Sequence, residues 1–389
     1  MRRIFLIPAI SLIAFYSYSR GVITTVQVWG EPYLVVNYSD GFIKRGLLGQ
    51  FLSFFYHRAD LNRIHAAGLA LHWILSSFII VFLAVWIVDT SKQAGATASR
   101  AIIGLFAVFA TSQFLPTLAY NTCYLDVYLT ALLLIGAAAW ISGVWWLAIV
   151  VGAIGPIIHE SFILLWSTLA VIILGARLRQ GRVPTLREAS IIAAPIIVTV
   201  LVLLGHSQDA AQAQMARAPL SDEVKRGMIV TQFGQKPVGA FLNMLKVFSL
   251  YPINFIVSAL YFTPPAIVTI GVYAWLRALS LWEIAIIMLA TIAPLSVLLV
   301  AWDLSRFLVW CNLAAILSVL LWEDAIAPTK SRKLPLTPLL LFAGVLAVSP
   351  FVCAYFWMAT VIDQGPFPLR RSFIGEPIER YFQGRYSHN

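Results

Sequence analysis

Apolar runs close to twenty residues long recur along this chain, parted by short polar stretches, and the strict alternation of half-buried strands is missing. A helix closes its backbone hydrogen bonds within one segment, so the pattern predicts an all-α, polytopic integral membrane protein rather than a barrel. At roughly twenty residues per crossing it predicts about eleven transmembrane helices. They fall over 4–26, 64–88, 101–119, 125–142, 144–155, 162–176, 189–205, 253–276, 281–301, 307–322 and 336–358. Two long loops, about 27–63 and 206–246, and the tail 359–389 then share one side, read here as the outer side. No internal repeat or separate soluble core interrupts the pattern, which predicts a single transmembrane domain over 1–389.

Punctuation and periodicity refine these elements. Gly155-Pro156 is expected to end the fifth span, and Pro264-Pro265 to break or kink the eighth. In the first outer loop Leu47, Leu48, Phe51, Leu52 and Phe55 repeat at helical spacing, and in the second so do Val238, Phe241, Leu242, Leu245 and Phe248. Both stripes predict helices lying in the membrane interface. Asp40 is expected to open the first of them, with Lys44 one turn above it on the same face and Arg45 adjacent.

Composition agrees with the pattern. Of 389 residues 60% are hydrophobic and only 11% charged, more apolar surface than a soluble core of this size can hide. The formal charge of +10 is spread over the loops, which points to anionic lipid or phosphate partners and away from nucleic acid. Arg177, Arg179, Arg182 and Arg187 make the clearest cytoplasmic cluster, and with Arg2 and Arg3 they put the N-terminus in the cytoplasm and the C-terminus outside. The first eighteen residues have the shape of a signal peptide, with Ser17 and Ser19 as a weak cleavage site. Apolar residues resume at Val22, Ile23 and Val26, so a retained first span is expected. Cys123, Cys311 and Cys353 are too few and too scattered for a disulfide framework or a zinc cage.

This topology sends the ionisable residues of four regions to one face: Asp40, Lys44 and Arg45; Asp126; His159 and Glu160; Asp303 and Arg306. Charges near a membrane need partners or water, so a shared, wet, charged cavity is expected there. A plainer reading stands beside each. Asp40 caps a helix while Lys44 and Arg45 snorkel to head groups; Asp126 caps the fourth span; His159-Glu160 is turn polarity; Asp303 and Arg306 neutralise each other. His57, His65, His72 and His206 read as interfacial or packing residues. A second His four residues after His159 is missing, as are a Gly-x-Ser-x-Gly elbow, a phosphate loop and a contiguous acidic motif for a magnesium pair.

A polytopic chain with an acid in a long first outer loop, bases beside it and interfacial helices around it resembles the GT-C superfamily of membrane glycosyltransferases over its whole length. The resemblance implies a sugar donor carried on a polyprenyl phosphate or diphosphate, a glycan or lipid acceptor, and transfer on the non-cytoplasmic face of a bacterial inner membrane. It implies Asp40 in the place of the loop acid; members often carry paired acids there, whereas Asp40 has no acidic neighbour, and a divalent metal stays open. On that reading Lys44, Arg45 and Arg306 bind the lipid phosphate, and Asp40 takes the acceptor's proton. His159 and Glu160 position the acceptor or supply the base, and Asp126 and Asp303 orient the cations. The chain is also similar to Wzy-type polysaccharide polymerases. A secondary transporter and a membrane acyltransferase built on His159 are the remaining alternatives.

Overall fold

The computed structural model describes residues 2–22, 26, 30–57, 60–229, 259–260, 262–299, 304–326, 332 and 336–348, and among these it is helical with no strand. In chain order the helices are α1 (Arg2–Ser19), α2 (Glu31–Val35), α3 (Leu47–Ser53), α4 (Leu61–Gln93), α5 (Ala96–Thr111), α6 (Phe114–Tyr120), α7 (Asp126–Ile141) and α8 (Trp145–Ile158). There follow α9 (Phe162–Arg179), α10 (Leu186–Gly205), α11 (Gln208–Arg217), α12 (Asp222–Met228), α13 (Pro264–Arg277), α14 (Leu281–Ile292), α15 (Leu304–Ile326) and α16 (Leu336–Val348). Five stretches of the described residues are long and apolar enough to cross a membrane: Leu61–Gln93, Ala98–Tyr120, Phe162–Arg179, Leu186–Gly205 and Phe307–Ile326.

Burial sorts these helices into centre and rim. The apolar window of α15 is 94% buried and that of α10 only 28%, so α15 runs through the middle, touching α4, α5, α6, α7, α9, α13 and α14, while α10 faces outward. On α4 the exposed side chains Ile74, Phe78, Val81 and Val85 recur at helical spacing, a stripe whose natural solvent is lipid tails. The opposite face carries Ile64, Gly68, His72, Ser76 and Ile79, all buried in the bundle.

Several boundaries differ from the expected ones, each for a local reason. The third span is two helices, α5 and α6, separated at Ser112-Gln113, where Phe114 N–H turns to Ser112 Oγ. Gly155-Pro156 does not end its helix: α8 continues to Ile158 and stops where His159 becomes extended. Pro264-Pro265 breaks its span by starting α13, a role that suits proline because the first helical N–H groups have no partner to lose. Asp40 opens no helix. Residues 38–46 form tight turns, with Gly41 and Arg45 at positive φ, and α3 begins only at Leu47. Of the expected stripe, Leu48 and Leu52 are buried and Phe51 is 50% exposed on α3, while Phe55, 65% exposed, lies with Phe54, 74% exposed, in the turn that follows the helix. The second interfacial stripe, 238–248, lies outside the described residues.

Helix ends expected on one side are joined there. At the expected inner end, Trp86 Nε1 donates to Asp324 Oδ2 at 2.8 Å, and Arg277 pairs with Glu323, which also accepts from Tyr273 OH at 2.7 Å. Arg177 and Arg179 at the end of α9 hold Glu188 and Glu283 at 2.7 and 2.8 Å, the same carboxylates that complete capping boxes with Thr185 on α10 and Ser280 on α14. The other end gathers α2, α3, the α6–α7 and α8–α9 turns, and α11.

Candidate functional site

Turn geometry is what brings the first loop to the α8–α9 turn. A Cβ on Gly49 would lie 2.0 Å from the Val36 carbonyl oxygen, so only glycine lets α3 pack this closely on the strand of chain leaving α2. The chain folds back through 38–46, and Arg45 takes a left-handed backbone with φ +66°, a cost of roughly 1–2 kcal/mol for a residue with a Cβ. Its side chain shows what offsets that strain. Arg45 Nε donates to Glu160 Oε2 at 2.9 Å, Nη2 pairs with Glu160 Oε1, and Nη1 reaches Tyr33 OH at 3.5 Å. A forked guanidinium on a carboxylate, almost out of water, is the strongest form of this contact.

Lys44 and His159 complete the group. Lys44 Nζ stands 3.6 Å from Glu160 Oε1, and its backbone N–H donates to His206 Nδ1 at 3.3 Å. His159 Nδ1 accepts the Ser161 N–H at 3.1 Å, with Ser161 Oγ at 2.8 Å; in the neutral ring the proton therefore sits on Nε2. Glu160 Oε2 lies 3.5 Å from the same Nδ1, so these three side chains do not form a nucleophile–base–acid relay, in which the acid must hold the other nitrogen.

Electrostatics follow from burial and pairing. Burial pushes the Glu160 carboxyl up, but Arg45, His159 and Lys44 outweigh it and hold it well below the ordinary glutamate range. Burial pulls the Lys44 ammonium below the ordinary lysine range, partly resisted by Glu160. Lys44 is thus the more loosely held cation of the two, and an anion arriving beside it gains a partner without first breaking a bidentate pair.

Of the eight expected site residues, Lys44, Arg45, His159 and Glu160 come together. Asp40 does not join them: it pairs with Arg217, accepts from Gln214 Nε2 at 2.7 Å and from Ser39 Oγ at 3.1 Å, and the Arg217 hydrogen bond draws its carboxyl below the usual range. Gln214 also binds Asn37 through both ends of its amide, so α11 of the second outer loop is fastened to the first. Asp126 is buried as the first residue of α7 with Asn121 Nδ2 at 3.4 Å; it does not cap that helix as its plainer reading had it, since the cap position is Leu125 and no side chain bonds the free N–H groups there. Asp303 lies outside the described residues, and of Arg306 only the backbone, in the first turn of α15, is described.

Sequence reading missed Tyr33, Gln214 and Arg217. Proline in the first turn, Pro32 after Glu31, signals the short helix carrying Tyr33, and the Ser207 cap before Gln208-Asp209 signals α11. Neither signal says what the helix will touch. Among the described residues no three His, Cys, Asp or Glu side chains assemble as a metal ion would require. Compared with known proteins, the chain matches no family model, no curated protein and no solved structure.

Proposed function

We propose that this chain is an integral-membrane glycosyltransferase, with about eleven crossings in a GT-C-like arrangement. It moves a sugar or glycan from a polyprenyl phosphate or diphosphate to an acceptor hydroxyl at the outer face. One observation carries the reading: Lys44 and Arg45 of the first loop meet His159 and Glu160 of the α8–α9 turn, and the chain that follows Arg45 exposes Phe51 on α3 and Phe54 and Phe55 in the turn after it. Cations for a phosphate, a carboxylate for a proton and aromatic side chains for a lipid tail are the parts this reaction needs in one place.

The acceptor oxygen attacks the anomeric carbon as the bond from that carbon to the phosphate oxygen breaks, and the hydroxyl proton passes to the enzyme. Lys44, then Arg45, take up the charge growing on the leaving phosphate, each such contact contributing roughly 1.5–3 kcal/mol. Their move toward the phosphate loosens their hold on Glu160, whose carboxylate becomes a stronger base as the donor binds. The base role assigned to Asp40 by resemblance passes to Glu160, because Asp40 is occupied by Arg217 and Gln214. His159 Nε2–H is the donor that orients the acceptor. Incubating the purified protein with a panel of polyprenyl-linked sugars and weighing the products tests this: a glycosylated acceptor supports it, and intact donors throughout the panel overturn it.

A second reading, a secondary transporter, is favoured by the charge pairs that close both ends of the bundle, Arg45–Glu160 at one and Arg277–Glu323 at the other. Uptake of a solute into proteoliposomes, with no covalent product, identifies that case.

A further inference from the structure

Where α13 and α14 stand side by side they leave a groove that the glycosyl-transfer site does not use. It holds about 530 Å³, within the range of pockets that take small molecules. On α13, Ile267, Gly271, Ala274 and Ala278 follow one another at intervals of three and four residues and form a single lining face. The facing wall is Ile284 and Met288 of α14, one turn apart. From Ile267 to Ala278 the groove runs roughly 16 Å at 1.5 Å per residue, about the depth of the hydrocarbon in one bilayer leaflet.

The groove opens away from the bundle. Ile267 is 65% and Met288 49% exposed, so its apolar rim has no cover among the described residues. A Cβ on Gly271 would meet nothing within 4 Å, whereas one on Gly175 of α9 would come within 2.5 Å of Ile286 on α14. Gly175 thus lets two helices close on each other. Gly271 serves no such contact, although a glycine weakens a helix interior, and its open side widens the groove.

One end of the groove is charged. Arg332 stands there, at the Arg277–Glu323 end of the bundle, where its backbone N–H donates to the Leu276 carbonyl at 2.8 Å. The two arginines differ in what they have left to offer. Arg277 is buried and paired with Glu323, whereas Arg332 is exposed and pairs with no carboxylate among the described residues. Lys330 and Lys333 flank it in the sequence. Trp275 in the groove and Trp282 at the start of α14 are 43% and 44% exposed at this same end, as aromatic side chains are at a membrane–water boundary.

An apolar trough one leaflet deep, open to lipid tails and headed by a cation at the boundary, matches the chemistry of one kind of molecule. We propose that this groove binds an anionic phospholipid of the leaflet at that end, with one acyl chain lying between α13 and α14 over Gly271 and the phosphate resting on Arg332. A zwitterionic lipid fills the trough equally well but brings a cation of its own toward the arginine, so charge makes the selection.

Photo-crosslinking of the full chain in nanodiscs tests this, with phosphatidylglycerol or phosphatidylcholine carrying the same diazirine-labelled acyl chain and attachment sites mapped by mass spectrometry. The exposed face of α10, with Ile197 and Leu201, is the reference for unselective lipid contact. The expected phosphatidylglycerol-to-phosphatidylcholine labelling ratio in the groove is about fivefold that on α10, the weight of one arginine near an anionic lipid. Arg332→Gln should bring the ratio down to the α10 value while total labelling persists. Gly271→Leu, whose side chain enters open space, should cut groove labelling by both lipids without lowering the thermal midpoint. A groove ratio equal to that of α10 in the parental protein overturns the proposal, as does an unchanged ratio in folded Arg332→Gln. Groove residues that neither lipid labels, because a second copy or another segment of the chain covers them, overturn it too.

Discussion

At the scale of single residues, Glu160 is the point on which stability and chemistry both turn. Removing Arg45 strands its carboxylate out of water, so Arg45→Ala should lower stability by about 3–5 kcal/mol, read as a drop in thermal midpoint in detergent. Arg45→Lys keeps the charge but not the fork and should fall between the two. The pH dependence has a definite sign. The Glu160 carboxyl is held below its unfolded value, so the pair contributes fully near neutral pH and its contribution fades as pH falls below about 4. The midpoint difference between parental protein and Glu160→Gln should therefore shrink on acidification; a difference that stays constant from pH 7 to the acid limit would rule the ion pair out as its source. Asp40→Asn, by contrast, should leave most of the transfer rate intact, since the Asp40 carboxylate fastens two loops together instead of facing Glu160.

Elements tell how far the chain could be read in advance. That Lys44, Arg45, His159 and Glu160 meet was legible, because hydrophobic periodicity assigns helix ends to sides and sides bring distant residues together. That a helix would start at Leu47 was legible from the apolar spacing, though it stops at Ser53, short of Phe55. The turns over 38–46 were not: they depend on Gly49 lying against the Val36 carbonyl and on Arg45 being held by a residue more than a hundred positions away, and no local propensity encodes either contact. Gln214 and Arg217 were hidden likewise, since fastening α11 onto Asn37 and Asp40 is a packing outcome. Two predictions belong here. Gly49→Ala should cost about 1–3 kcal/mol through overpacking and uncouple α3 from the loop, seen as a lower midpoint and lost transfer. Exchanging Phe51, Phe54 and Phe55 for serine should spare folding but raise KM for long-chain donors more than for short-chain ones.

For the whole molecule, the two clusters of charge lie at opposite ends of a bundle built around α15. The expected inner cluster, Arg177–Glu188, Arg179–Glu283 and Arg277–Glu323, fastens helix starts to helix ends and reads as architecture. The other joins loops and leaves one cation loosely held, which is what a binding site needs. Cysteines placed at Ser39 and at Arg182, both exposed, should react with a membrane-impermeant thiol reagent from opposite sides of sealed vesicles, Ser39→Cys from the outer side. The native Cys123 and Cys311 are buried and should stay silent. Reaction of both introduced cysteines from one side would undo the assignment of ends on which the site rests.

Side-by-side turnover of parental protein, Lys44→Ala and Glu160→Gln with a polyprenyl-linked sugar, with polyprenyl phosphate binding measured on the same samples, bears most directly on the central claim. Glu160→Gln should still bind the lipid phosphate but lose at least about a hundredfold in turnover, while Lys44→Ala should lose binding as well. Transfer by Glu160→Gln at the parental rate would contradict that claim.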